Sequence, residues 1–261
     1  MNPTKPVTAL AVGLIASTNA LGEAIIEIDN PTFLPPCEIC SAGPINIGFE
    51  INFFDTNFSR LYVNSKGHVT FGSETSTWNY EYYQYYPSVT AMAVIAPFWS
   101  DVDTRYPGNT AVYGNITYEE HNAFAVNWVN VDYYPSNSSH TAHNSFQLII
   151  VDRSDVGVGD FDFIFNYDTI QWANMGWGDP FVGYGFKGEL YGFVTDTSNT
   201  LFTLNSNQLP YSSWNLDVTG HYVFEVRGGK VVTILEPETW AMLLAGLGFV
   251  STITRRRKAD R

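Results

Sequence analysis

Leu61-Tyr62-Val63-Asn64-Ser65-Lys66-Gly67-His68-Val69-Thr70-Phe71-Gly72 decides the fold class. Two short apolar runs flank a turn rich in Asn and Gly, the pattern of a β-hairpin. Ile51-Asn52-Phe53-Phe54 lies just upstream of it. Further strand-like runs follow at Ala93–Trp99, Thr110–Tyr118, Ala123–Val131, Ser145–Val151, Asp160–Tyr167, Phe181–Phe186 and Tyr222–Val226. They recur about every 8–15 residues, are bounded by Gly, Asn, Asp or Pro, and show no sustained helical period. This predicts an all-β chain, an antiparallel β-sandwich. About 200 residues suit one such domain, and no internal repeat suggests a second.

Composition agrees. Of 261 residues, 45% are hydrophobic, 16% aromatic and 15% charged. The apolar content excludes a disordered acidic chain, and the charged share is well below the usual level of about 25%. The formal net charge is −13, and five of the 13 basic residues (Arg255, Arg256, Arg257, Lys258, Arg261) crowd the C-terminus. Between Lys5 and Arg255 seven basic side chains face 25 acidic ones, a charge near −18. No basic face remains for phosphate neutralisation, which excludes nucleic acid as a partner. Such a surface attracts cations instead.

The two ends differ from the middle. Lys5, the apolar run Val7–Ala16 and the small residues Ser17-Thr18-Asn19-Ala20 have the layout of a secretory signal peptide within residues 1–24, with cleavage after Ala20 or Ala24. At the other end, the 15 residues from Trp240 to Thr254 precede Arg255-Arg256-Arg257-Lys258. As a helix they reach about 22 Å, short of the roughly 30 Å hydrocarbon core. The basic cluster places that end in the cytoplasm. The sandwich is thus expected to be flanked by a signal peptide and a short C-terminal membrane helix.

Two resemblances sharpen these readings. Glu236-Pro237, Thr239-Trp240 and the Arg255-Arg256-Arg257 cluster resemble the PEP-CTERM sorting signal of Gram-negative bacteria, with Leu235 where the motif's first proline stands. That resemblance implies export by the general secretion machinery, transient anchoring in the inner membrane, cleavage by an exosortase, and association with exopolysaccharide or biofilm matrix. In the middle, Ile95-Ala96-Pro97-Phe98-Trp99-Ser100-Asp101-Val102-Asp103-Thr104-Arg105 is the block most similar to the nidogen-like (NIDO) extracellular domain. The opening hairpin, Asn127–Val131, Asn144–Leu148, Asp160–Phe163, Ile170–Trp172, Val182–Phe186 and Gly220–Phe224 follow in family order. The resemblance implies a β-rich module of matrix and cell adhesion with no enzymatic activity. The expected organisation is a signal peptide at 1–24, a loop segment at 25–44, the nidogen-like domain at 45–229, a linker at 230–235 and the sorting signal at 236–261.

Candidate sites each carry two readings. Asp101 and Asp103 could offer hard oxygen ligands to Ca²⁺, or join Arg105 in a structural network. The acidic turn Asp152–Asp162 lacks an EF-hand's closing Glu and reads as a Gly-rich hairpin tip, with calcium as the alternative. Cys37 and Cys40 are too few for zinc and lack the following His of a haem site, so an export-compartment disulfide is expected. His140 and His143 lie in a polar loop, where their spacing does not chelate as it would on a helix. Trp78, Tyr80, Tyr82, Tyr83, Tyr85 and Tyr86 could stack on sugar faces or anchor a protein, or simply cover one end of the sandwich. No nucleophile elbow, phosphate loop or metalloprotease motif occurs, and no cofactor is expected. The function expected is noncatalytic: a surface or matrix protein contacting matrix protein or exopolysaccharide. A polysaccharide-binding module is the alternative, and a glycoside hydrolase a distant one.

Overall fold

The computed structural model describes residues 25–75, 77–81, 83, 92–173, 179–194 and 220–232. The segments read from sequence as a signal peptide and a sorting signal, including Glu236, Pro237, Thr239, Trp240 and Arg255–Arg257, lie outside them. So do Tyr82, Tyr85 and Tyr86.

Fourteen strands are formed among the described residues: β1 (Thr32–Phe33), β2 (Ser41–Phe53), β3 (Thr56–Asn64), β4 (His68–Phe71), β5 (Ala93–Trp99), β6 (Val102–Asp103), β7 (Thr110–Tyr118), β8 (His121–Tyr133), β9 (Asn144–Asp152), β10 (Phe161–Ile170), β11 (Phe181–Phe186), β12 (Glu189–Val194), β13 (His221–Arg227) and β14 (Lys230–Val231). They make two antiparallel sheets. The larger runs β1-β7-β8-β9-β10-β13-β14, with β6 beside β8, and the smaller runs β12-β11-β5-β4-β3-β2. The expected hairpin is β3–β4, with Val63 opposite Val69.

Period-two alternation explains how the sheets face each other. On β8, Phe124, Val126 and Trp128 enter the shared core, while Ala123 and Ala125 point the other way. The shared core gathers Phe53, Phe71, Phe98, Phe146, Phe161, Phe163 and Phe224 around these residues. Edge-to-face and stacked pairs such as Phe53–Phe161 at 5.4 Å and Phe163–Phe224 at 4.6 Å fill it. This is where the high aromatic content goes.

Strand β5 is buried along its whole length. Ala93, Ile95 and Phe98 face the shared core, while Val94, Ala96 and Trp99 pack outward against Tyr83, Met92 and Phe181. The outer side also buries His68, whose ring stacks on Trp99 at 4.0 Å. Burial drives the His68 imidazolium down to about 3, and the carbonyls of Lys66 and Thr75 offset only a small part. The sign follows: below its ordinary value near 6.5 the unfolded chain takes up a proton that the folded chain refuses until pH about 3. Stability from this residue is complete above pH 6.5 and drains as pH falls through that window. At about 1.4 kcal/mol per unit the whole loss approaches 5 kcal/mol. Urea titrations from pH 7 to 3.5 should show it, and His68→Phe, which keeps the stack without the titration, should flatten the slope.

Two expectations about chain segments change. Residues 25–44 are not loop throughout: Thr32–Phe33 pairs with β7 as β1, and β2 already begins at Ser41. Before β1, Ile26 and Ile28 cover the outer face of the larger sheet, over Val112, Ala123, Ala125, Ile149, Val151 and Ile164. Likewise Lys230–Val231, expected in a linker, pairs with Val226 and Arg227 as β14.

Candidate functional site

One end of the sandwich carries a cleft of about 90 Å³. Its walls come from three places in the chain: Trp78, Asn79, Tyr80 and Glu81 before β5; Ser100 and Asp101 after it; and Tyr133, Tyr134, Trp172, Ala173 and Asp179 from the larger sheet and the connection to β11. Trp78 and Tyr80, predicted as stacking residues, and Asp101, predicted as a cation ligand, therefore meet in one place. Tyr83 does not join them. It is fully buried under the smaller sheet, its hydroxyl donating to the Met92 carbonyl at 2.6 Å, so it is a core residue and not a ligand platform.

The cleft is held from behind. Trp172 is buried, donates its indole N–H to the Val131 carbonyl at 3.1 Å, and meets Phe98 edge-on at 5.1 Å. Trp99 donates to the Thr77 carbonyl at 2.9 Å, which pins the segment carrying Trp78. Tyr133 stacks on His140 at 3.9 Å, and the His140 ring contacts Asp132 at 2.8 Å. His140, held by Asp132, thus backs the Tyr133 wall of the cleft. His143 lies apart, in the loop just before β9, its main-chain N–H donating to Gln171 Oε1 at 2.9 Å. The Arg105 guanidinium lies over the Tyr134 ring, 5.5 Å from its centre.

Asp101 and Asp103 do not share a centre. The Lys66 ammonium is 2.5 Å from Asp101 Oδ1, with Lys66 fully buried and the Asp101 side chain 14% exposed. Arg105 grips Asp103 through Nε and Nη2, the latter at 2.6 Å, and reaches Glu38 at 3.1 Å. Burial pushes the Asp103 carboxyl up, but Arg105 and the main-chain N–H groups of Ser136 and Arg105 hold it below the ordinary range. Both carboxylates are thus answered by cations of this chain, the Asp/Arg network reading extended by a lysine. Among the described residues no three His, Cys, Asp or Glu side chains are grouped to hold a metal ion.

The remaining candidates are structural. In the β9–β10 hairpin tip, Arg153 bridges Asp155 at 3.2 Å and Asp162 at 2.7 Å, and Arg227 reaches Asp162 from β13 at 2.7 Å. Cys37 and Cys40 form a disulfide. Its loop is tied to the β3–β4 turn by the Cys40 N–H donating to Ser65 Oγ at 3.1 Å, and to the residue after β6 by the Cys37 N–H donating to Thr104 Oγ1 at 3.0 Å.

The cleft surrounds Trp78 and Tyr80 with Tyr133, Tyr134, Trp172 and Asp179, none of which the sequence marks as site residues. The only local signal is the Tyr133-Tyr134 doublet ahead of Pro135. What the arrangement can do follows from its parts. Aromatic walls and carboxylates accept a flat apolar face, a hydroxyl donor or an ammonium, and repel an anion. At about 90 Å³ it is smaller than the roughly 300–1,000 Å³ of enclosing ligand pockets. It takes one projecting group of a larger partner.

Comparisons with known proteins bear on the whole sandwich. The family described as "NIDO related" matches residues 39–158, and the one described as "Nidogen-like domain" matches residues 109–228. Alpha-tectorin of Mus musculus is 28% identical over 230 residues, covering 77% of this chain and 10% of that protein. Alpha-tectorin of Homo sapiens is 27% identical over 236 residues with the same coverages, and that of Gallus gallus is 24% identical over 262 residues, covering 88% of this chain and 12% of its own. The chain therefore spans about a tenth of the length of these relatives. No solved structure matches it. The two matched blocks together run from the disulfide loop through β13, over both sheets of the sandwich: across these strands the chain is similar to the nidogen-like family.

Proposed function

We propose that this is a noncatalytic, exported protein whose nidogen-like domain mediates adhesion or matrix contact at or beyond the cell surface. In this reading the C-terminal segment is an exosortase substrate, and the released domain associates with exopolysaccharide or biofilm matrix. The observation that carries it is the nidogen-like match across the sandwich. The cysteine pair closed as a disulfide suits an oxidising compartment. Protein purified from its native host should end near Glu236–Thr239 by mass spectrometry. Chains that mainly still end at Arg261 in a host with active exosortase would overturn the processing, and hydrolysis of an exopolysaccharide, lost on replacing one carboxylate, would overturn the noncatalytic reading.

A second reading, polysaccharide binding, is favoured by one feature: Trp78 and Tyr80 open onto the cleft beside Tyr133 and Tyr134. Loss of a stacked indole is worth about 1 kcal/mol or more. Trp78→Ala should weaken retention on a glycan surface roughly fivefold to tenfold. Unchanged glycan retention, with pull-downs recovering a protein partner, would favour protein adhesion instead.

A further inference from the structure

Lys66 stands apart from the other described lysines. Lys187 and Lys230 are exposed, whereas Lys66 is completely enclosed. Its Nζ faces Asp101 Oδ1 at 2.5 Å and donates to the Val102 carbonyl at 2.9 Å. Both residues are pinned through their main chains: the Ser100 N–H donates to the Lys66 carbonyl at 3.1 Å, and the Tyr134 N–H donates to the Asp101 carbonyl at 2.9 Å. An amine and a carboxyl group are thus held together in a site that excludes water on the amine's side and opens to the cleft on the carboxyl's side.

We propose that Lys66 and Asp101 condense into an intramolecular isopeptide bond linking Lys66 Nζ to Asp101 Cγ.

The step balances without a co-reactant. The ammonium and carboxylate together hold three protons on nitrogen and two oxygens on carbon. After proton transfer within the pair, the Nζ lone pair adds to Cγ, and the C–N bond forms as one C–O bond breaks. One proton stays on the amide nitrogen, and two leave with the departing oxygen as water. Two physical effects favour it. Fixed geometry replaces a bimolecular encounter, an advantage that reaches effective concentrations of about 10⁵ M or more in well-oriented pairs. A neutral amide also avoids the cost of keeping each ion out of water. Burial pulls the Lys66 ammonium below its ordinary range, with Asp101 restoring part, so the neutral amine is more accessible than on a surface lysine. Asp101 lines the cleft beside Glu81 and Asp179. The cleft gives the leaving water an exit.

The bond would clamp the β3–β4 turn to the end of β5, across the middle of the smaller sheet, which suits a domain loaded by surface attachment.

Intact mass of the full chain decides the matter. Once signal-peptide loss and the two hydrogens of the Cys37–Cys40 disulfide are allowed for, the protein should be one water lighter than its sequence, about 18 Da. Tandem fragmentation should place the loss between Lys66 and Asp101, and trypsin should not cut after Lys66. Lys66→Arg, which keeps the cation but not the amine, and Asp101→Ala should each show no water loss. A wild-type chain at full mass, with Lys66 open to trypsin in the denatured protein, would overturn the proposal and leave a buried ion pair. The measurement does not depend on what the domain binds.

Discussion

Gly67→Ala is expected to cost about 4 kcal/mol or more, enough to leave the domain largely unfolded. Gly67 closes the β3–β4 turn with φ at +80°, a conformation that side chains rarely adopt, and a Cβ there would stand 1.9 Å from the Phe98 carbonyl oxygen. Backbone strain alone contributes roughly 1–3 kcal/mol. The clash adds to it and cannot relax cheaply, because the obstacle is main chain. The Phe98 N–H donates to the Gly67 carbonyl at 3.2 Å, so separating the two segments breaks this bond, and the neighbouring Ser100–Lys66 bond is exposed to the same displacement. Beneath lies Phe146, against the shared core. Gly228→Ala is the control: φ is +54° but no atom lies within 4 Å, so only strain remains. Denaturant midpoints should therefore fall far more for Gly67 than for Gly228. Equal losses would show that the approach to Phe98 does not limit the turn.

That turn shows how much of the fold local sequence can encode. Strands β5, β7 and β11 begin and end where their apolar runs do: β5 is buried throughout and β11 nearly so, while Asn109 precedes β7 and Pro180 precedes β11. Strand β12 escaped because Gly188 and Gly192 read as punctuation, whereas in the sheet Gly192 pairs with Gly183 at a spot where backbones touch. The segment at Ile25–Ile28 looks like the trailing edge of the signal region. Its partners lie some 100 residues away, and nothing local announces them.

The candidate site divides the same way. Trp78, Tyr80 and Asp101 were legible as unusual residues, and they do share the cleft. Tyr83 belongs to the same aromatic run but turns inward, a difference of direction that composition does not carry. Lys66 sits in a turn, where a lysine is ordinarily a solvated residue. Only the arrival of Asp101 from β5 over its head makes it a buried amine. Chemistry that depends on two distant segments is invisible until the strands are paired.

Gln147→Ala should be the other severe substitution, at about 3–4 kcal/mol, and its damage should appear first at the N-terminal segment. Gln147 is fully buried on the outer face of the larger sheet, in a row that crosses four strands: Asn127 opposite Gln147, Gln147 opposite Asn166, and Asn166 opposite His221. The Gln147 amide donates to Asn127 Oδ1 at 2.7 Å and to the Ile26 carbonyl at 2.9 Å. Its oxygen accepts from Asn166 at 2.8 Å and from the Ile26 N–H at 3.3 Å. Asn127 also donates to the Ile26 carbonyl at 2.9 Å. The main chain of Ile26 is thereby treated as one more strand residue, bonded through side chains instead of a ladder. Truncation strips a partner from each of Asn127, Asn166 and Ile26 in a buried place, where each unsatisfied group costs about 1–3 kcal/mol. The cavity left behind adds to the penalty. Residues 25–31 then lose the polar clamp that seats Ile26 and Ile28 over Ile149, Val151 and Ile164. Hydrogen exchange should quicken at Ile26–Ile28 and along the outer face of β9 before β5 is affected, and the midpoint of global unfolding should fall. Gln147→Glu separates the causes: its volume is kept, but a carboxylate cannot donate to Asn127 or Ile26. If Gln147→Glu proved as stable as the parent at neutral pH, the amide's two donated bonds would not be what holds the segment down, and apolar contact by Ile26 and Ile28 would be sufficient.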